Sequence, residues 1–385
     1  MLTACTQEVD FPDEALDEIL AQLDIENALL KHSAGILHCG YAFVESGFVP
    51  LLCERLPFEI VGFTTIACAT GEDFGSDMLS LSVLTSDDVL FSVAHSASFD
   101  LRDIAGPLGA AYRRAEAALP ARPALVLAQF PLDLSIGVSQ MLNAIIAVAD
   151  GVPVFGSLPC DATPDYHNSV VICNGEVFPH AAALLLLCGN VRPRFFVENV
   201  CHSEDMQEQY GIITESDDCV LKRINDMPFL DYIEEIGISR EVLQEVKAFP
   251  VPFKVNYNEG TKSLIRVLYS VTSEGHAVFA SEMPAGGSIA MQRFNYDSVM
   301  ETVENMLDLL RSLRDVSGVF LYSCVGRNFQ LGGKAEDEML RIRARLNGKM
   351  PYHLCYAGGE VCPLKDETGV FVNHSHSYSL VACVL

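Results

Sequence analysis

The sequence predicts a mixed α/β fold in which two duplicated units, each running hairpin, helix, strand, helix, strand, hairpin, form mixed sheets covered by helices. Three observations predict it. Short apolar strand signals alternate with stretches of helical period along most of the chain. Turn signals such as Asn174-Gly175 mark hairpins between them. The same order of elements recurs in both halves. Hairpins interleaved with strand–helix–strand crossovers give mixed sheets with helices on their faces.

The elements follow in order. Residues 12 to 31 carry Leu16, Ile19, Leu20, Leu23 and Leu30 near helical spacing and read as an appended helix. Ile36 to Cys39 and Phe58 to Gly62 are strand signals, a weak echo of what comes next. The first unit opens with alternating Leu79 to Val83, a polar turn at Thr85 to Asp88 and a return strand from Val89. A helix from Leu101 to Ala118, a buried strand from Ala124 to Phe130, a helix from Leu134 to Val148 and a strand from Val152 to Phe155 follow. A hairpin from Ser169 to Cys188 closes the unit, turning at Asn174-Gly175. The second unit begins with a hairpin from Ser263 to Glu282 that turns at Glu274-Gly275. Its first helix starts at Ser298, with Glu301 completing a capping box. A strand from Val319 to Cys324, a helix from Ala335 to Leu346, a strand from Tyr352 and a last hairpin from Gly369 to Leu385 complete it. The acidic stretch Glu198 to Asp218 reads as the linker, and Pro228 to Lys247 as a helix-rich segment between the bodies.

Composition bounds the function. A chain of 385 residues is expected to form two domains. Half of it is apolar and one fifth charged, which supports sizeable cores. The net charge of −26 repels phosphate backbones and anionic membranes, and no Lys/Arg cluster offsets it, so neither nucleic acid nor membrane is expected as a partner. Met1 to Asp10 lacks the charge and apolar run of a signal peptide. The densest apolar run, Ala181 to Cys188, is shorter than the ~20 residues a membrane span needs. The 13 cysteines are scattered, odd in number and free of CxxC pairs, which fits reduced thiols and a cytoplasmic location.

Several residues could carry chemistry. Gly62, Gly156 and Gly358-Gly359 end apolar strands, where glycine either makes a tight turn or lets backbone approach a ligand. Ser157 and Asp161 follow Gly156, and Glu360 follows Gly359 in the matching place. Arg327 ends the stretch Ser323-Cys324-Val325-Gly326-Arg327. Just past a buried strand, it could hold a ligand carboxylate or pair with a neighbouring acid. Glu360 could hold Arg327, receive a ligand amine or face solvent. Cys324 could act as a nucleophile only beside a base. Asn373 and His374 lie in the closing hairpin, where His374 and His376 share a strand face. That pair could bind metal or haem, or be satisfied strand histidines. No phosphate-binding glycine pattern, nucleophile elbow or HExxH helix occurs. No catalytic set and no metal site are therefore assigned.

These residues resemble the FIST family, which joins an N-terminal FIST domain to a FIST C domain. The resemblance rests on Ser-Cys-Val-Gly-Arg at 323 to 327, on Tyr356-Ala357-Gly358-Gly359-Glu360-Val361-Cys362-Pro363, and on Asn373-His374. Met227 to Tyr232 looks like the opening of the C domain, and Val152 to Ser157 like part of the N domain. The resemblance implies a FIST N domain over 34–220 and a FIST C domain over 221–385, with residues 1–33 left as the helical extension read from the periodicity. It also implies a sensory, ligand-binding protein that signals to a partner in trans, with an amino acid or other small carboxylate as ligand. Arg327, Glu360, Gly358, Gly359, Gly156, Ser157, Asp161, Asn373 and His374 would line the site, with no cofactor. Two alternatives stand beside it: an enzyme acting on a small amide or thioester, and a haem-based nitric-oxide sensor. The closing Asn-His-Ser departs from the His-Asn-x-Thr that relatives tend to carry.

Overall fold

A computed structural model describes residues 1–385 except 72, 101, 134, 135, 164, 165, 202–207, 245–250, 258–262 and 367. The expected element limits at Leu101, Leu134 and Lys247 lie outside the described residues. The fold is mixed α+β, with sheets that combine parallel and antiparallel pairs.

The repeat occurs three times rather than twice. The first unit is β1 (Leu2–Thr6), α1 (Pro12–Leu23), α2 (Ile25–Ala28), β2 (His32–Cys39), α3 (Ala42–Glu45), α4 (Phe48–Arg55), β3 (Glu59–Thr64), β4 (Cys68–Thr70), β5 (Asp73–Gly75) and β6 (Leu79–Ser86). The second is β7 (Leu90–His95), α5 (Ala105–Ala117), β8 (Leu125–Gln129), α6 (Val138–Ala149), β9 (Val154–Ser157), β10 (Val171–Cys173), β11 (Glu176–Phe178) and β12 (Ala183–Cys188). The third opens with β13 (Arg194–Asn199) and is then interrupted.

The interruption is a small barrel: β14 (Tyr210–Asp217), β15 (Val220–Ile224), β16 (Met227–Pro228), α7 (Phe229–Glu235), α8 (Arg240–Gln244), β17 (Val251–Asn256), β18 (Leu264–Val271), β19 (Ala277–Phe279) and β20 (Ser288–Met291). Its strands run β14-β20-β17-β18-β19-β15, and a β14–β15 pairing closes the ring. The hairpin expected over Ser263 to Glu282 exists as β18–β19, but it belongs to this barrel. The third unit resumes with α9 (Tyr296–Arg311), β21 (Val319–Cys324), α10 (Val325–Leu331), α11 (Glu336–Leu346), β22 (Tyr352–Ala357), β23 (Glu360–Lys365), β24 (Phe371–His376) and β25 (Ser379–Val384).

Each unit supplies a parallel pair from strand–helix–strand and a return strand beside it. Register fixes the equivalence. Leu37 pairs with Gly62 and Leu81; Ala128 with Gly156 and Leu184; Leu321 with Leu354 and Ala382. The hairpins are exchanged in a cycle. β4–β5 of the first unit joins β22 of the third, β23–β24 of the third joins β9 of the second, and β10–β11 of the second joins β3 of the first. The sheets therefore cross the boundary at residue 220. The inner faces meet in one core containing Ile36, Phe63, Leu127, Phe155, Phe320 and Tyr322. Each outer face is covered by its own helices. Burial on both faces explains the near-continuous apolar strands, such as β8 and β21.

Hairpin exchange corrects several local expectations. β6 and β7 do not pair: they lie in different sheets, because β6 is occupied by β1 and β2. β24 and β25 likewise part into different sheets. Asn174-Gly175 does turn a hairpin, with both residues at positive φ as a two-residue turn demands, but the partners are β10 and β11 while β12 leaves for another sheet. The appended helix stops at Leu23, where Asp24 turns left-handed, and β1 before it completes the first sheet. The cap of α9 is Asn295: Ser298 N–H donates to its Oδ1 at 2.8 Å, and Ser298 Oγ accepts from Asn295 N–H at 3.0 Å. Ser298 thus sits inside the helix it was expected to cap.

His38, Gln129 and Tyr322 occupy the equivalent position one residue further along each unit, deep in the shared core. His38 Nδ1 lies 2.6 Å from His353 Nε2, and Ser80 and Ser82 hydroxyls meet the His353 ring at 2.9 and 2.7 Å. This network ties the first sheet to the third. Burial holds both histidines below their ordinary range, His353 at about 3.

Candidate functional site

Strand β21 is buried throughout and leads straight into α10, so the Ser-Cys-Val-Gly-Arg stretch is a strand end and a helix start. Arg327 is 0% exposed. Its Nη2 meets Glu338 Oε1 at 2.7 Å, its Nε donates to Ser323 Oγ and to the same carboxylate at 3.1 Å, and its Nη1 donates to Thr302 Oγ1 at 2.8 Å. Glu338 Oε2 in turn accepts from Ser323 Oγ and from the Tyr356 hydroxyl, each at 3.0 Å. The partner of Arg327 is therefore Glu338, not Glu360. The planar fork that was expected to grip a ligand carboxylate is spent on an internal ion pair that binds α9, β21, α10, α11 and β22.

Other expected site residues also hold the fold. A Cβ on Gly156 would lie 2.0 Å from the Ala128 carbonyl oxygen, and one on Gly62 would lie 1.9 Å from that of Leu37. These two glycines allow close contact between parallel strands inside the sheets, rather than cradling a ligand. Gly358 and Gly359 zip onto the N-terminal loop. Gly358 N–H donates to Leu158 O at 2.9 Å, while Gly359 O accepts from Leu158 N–H at 3.1 Å and from Ser157 Oγ at 2.8 Å. Asp161 organises its own loop, accepting from Thr163 N–H at 2.5 Å, Asn168 N–H at 2.8 Å and Ser169 Oγ at 2.9 Å. The Asn373 side chain pins β24 to the start of β9 through Val154 N–H and Val152 O.

What the zipped loops bring together is a buried polar cluster around Glu360. Its side chain is fully buried, and Oε2 accepts from Ser379 Oγ at 2.7 Å. The Cys324 thiol lies beside the same carboxyl group. Burial, above all, holds Glu360 well above the usual carboxylate range, which favours its neutral form. Burial and the neighbouring Glu360 push the Cys324 thiol far up as well. Oε1 of Glu360 has no partner among the described residues. His376 stands directly across the ladder from Glu360, and opposed residues share a sheet face. It is 3% exposed, its Nε2 faces Cys362 O at 2.9 Å, and its Nδ1 also lacks a partner. With Nε2 donating, Nδ1 is an acceptor. Buried polar atoms are almost always paired, so two orphans on one ladder rung call for an explanation.

Three tyrosines complete the cluster. The hydroxyls of Tyr166, Tyr269 and Tyr378 lie close enough to Cys324 for charge on one to raise the pKa of another. Tyr269 has the same relation to Glu360. Tyr166 and Tyr269 are partly exposed. Tyr166 and Tyr378 have φ of 54°. Every other described non-glycine residue at positive φ is Asp or Asn. A left-handed tyrosine is strained, and such strain concentrates where a side chain must be aimed.

Sequence reasoning found Glu360 and Cys324 and named His376 only as the strand-face partner of His374, but it missed the tyrosines. A run of Ser, His and Tyr from His374 to Ser379 was the available signal. His374 is half-buried beside His376, with ring centroids 6.3 Å apart, and is held low by burial and by Arg266. Among the described residues no group of three or more His, Cys, Asp or Glu side chains is placed to hold a metal. No helix of the described residues is long and apolar enough to cross a membrane.

Comparison with known proteins bears on the same regions. The family model described as FIST N domain matches residues 33–227, from β2 to the barrel. The model described as FIST C domain matches residues 229–363, from α7 into β23. No curated protein matches the chain.

Proposed function

We propose, from the premise that this chain belongs to the FIST family, that it is a small-molecule sensor whose ligand presents an amine to the Glu360 cluster. FIST domains are associated with sensory signal transduction. The observation that carries the ligand reading is the pair of orphaned buried atoms, Glu360 Oε1 and His376 Nδ1, on one rung of the ladder. An ammonium group offers three donors. Two would meet these atoms and the third a tyrosine hydroxyl, while the aromatic faces of Tyr166 and Tyr269 favour a cation. Binding would draw the proton off Glu360 and turn a neutral acid into a counter-ion. The strongly negative chain attracts such a ligand rather than repelling it. An amino acid fits through its ammonium end, without Arg327. The bound state would pass its signal to a protein partner in trans, in the cytoplasm, through the barrel and the N-terminal loop, which meet at this cluster.

The two alternatives have less support. Thiol catalysis needs a thiolate, and Cys324 is pushed far from ionising beside an acid whose own pKa is raised. His376 is no better as a base, since burial lowers it to about 3. Axial haem ligation keeps only His374 of the two histidines it rested on, because His376 Nε2 is already engaged by Cys362 O. A thermal-shift screen of amino acids and simple amines, matched with N-acetylated analogues, tests the proposal. Amines should raise Tm and their acetylated forms should not. Equal shifts from both would defeat it.

A further inference from the structure

The end of the three sheets opposite Glu360 contains a pocket with an apolar floor. Leu84, Leu187 and Leu385 each lie three residues beyond the equivalent positions Leu81, Leu184 and Ala382, so the repeat places them in one ring around the pseudo-threefold axis. All three line a cavity of about 170 Å³. Phe91, the ladder partner of Leu187, adds an aromatic wall, and Val89 and Val191 also line the pocket. The shared core of the three sheets is thus open at this end. An apolar cavity of about 150 Å³ admits a benzene-sized guest, so this one suits a chain or ring of roughly six carbons.

The rim decides the head group. Arg192 lines the same pocket, is exposed, and makes no hydrogen bond or ion pair among the described residues. It stands in contrast to Arg327, whose donors are engaged inside the fold. A free guanidinium beside an apolar hole selects a planar anion with a hydrocarbon tail. We infer that this pocket is a binding site for a small carboxylate with an apolar tail of about six carbons, held by the leucine ring and by Arg192. Its occupant touches all three units and would stabilise their packing in proportion to its affinity. The site is independent of the amine site, which lies at the far ends of the same strands.

The test is calorimetry on the full chain with hexanoate, hexan-1-ol and hexylamine as probes. Hexanoate should bind saturably at one equivalent and more tightly than the other two. Arg192→Gln, a surface change that leaves the fold alone, should weaken hexanoate roughly ten-fold and leave hexan-1-ol unchanged. Val191→Trp, which fills the pocket from a partly exposed position, should remove both. No saturable hexanoate binding, equal affinity for hexylamine, or full binding in a folded Val191→Trp variant would overturn the inference.

Discussion

Replacing Arg327 with methionine should unfold the third unit before it disturbs any ligand. Arg327→Met keeps most of the side-chain volume and removes the charge. Glu338 would keep its bonds from Ser323 and Tyr356 but lose its counter-ion at 0% exposure. Removing one partner of a buried pair costs about 3–5 kcal/mol, because the other charge is left uncompensated. Thr302 Oγ1 would lose a donor too, a smaller loss of about 1 kcal/mol. Adding Glu338→Gln removes the stranded charge while an amide can still serve Ser323 and Tyr356. The double variant should therefore recover more than half the loss, a coupling that a double-mutant cycle measures directly. Urea unfolding followed by far-ultraviolet circular dichroism and tyrosine emission is the assay, the chain having no tryptophan. A loss under about 1 kcal/mol for Arg327→Met, together with vanished ligand binding, would refute the reasoning and return Arg327 to the ligand site.

Two further outcomes follow from the fold. His353, His376 and His38 have pKa values depressed below the ~6.5 of an unfolded histidine, so the unfolded chain binds more protons in mild acid. Their contribution is full above pH ~6.5 and is lost as pH falls towards about 3, with a slope of up to ~1.4 kcal/mol per pH unit for each histidine. Stability measured from pH 7 to 4 should fall more gently in His353→Gln; an unchanged slope would contradict the buried neutral pair. A fragment ending at residue 200 loses β22, the partner of β4, and β23, the partner of β9. It should fail to give a monomer with native near-ultraviolet dichroism, and a well-folded monomer would show that the hairpin exchange is dispensable.

Much of this was legible in the sequence, and the failures have physical causes. The strands at 319–324 and 352–357 stand out because both of their faces are buried. Asn174-Gly175 declares its turn because the backbone there needs positive φ twice. The number of repeats was hidden, since periodicity reports the face of a strand and not its partner. With hairpins exchanged, neighbours in sequence such as β6 and β7 are not neighbours in a sheet. The inserted barrel supplied a hairpin in the place where a duplicated unit was expected to have one. Arg327 was read as a ligand anchor because Glu338, eleven positions on, was one acid among 51. Tyr166 and Tyr378 gave no signal, because their importance lies in a backbone angle that no pattern of hydrophobicity records.

An amine is expected to displace the proton of Glu360. Its folded pKa is raised, so its contribution to stability is full below the unfolded value of ~4.3 and declines as pH rises through the folded one. The raised pKa favours the neutral acid in the free protein, and that acid must ionise to pair with an ammonium ion. Titration calorimetry of the amine that shifts Tm most, run at pH 6 in buffers of different ionisation enthalpy, counts the protons exchanged. The expected result is close to one proton released per ligand bound, with Glu360→Gln releasing none and binding at least ten-fold more weakly. Tight binding with no proton released, or unchanged affinity in a folded Glu360→Gln variant, would contradict the account.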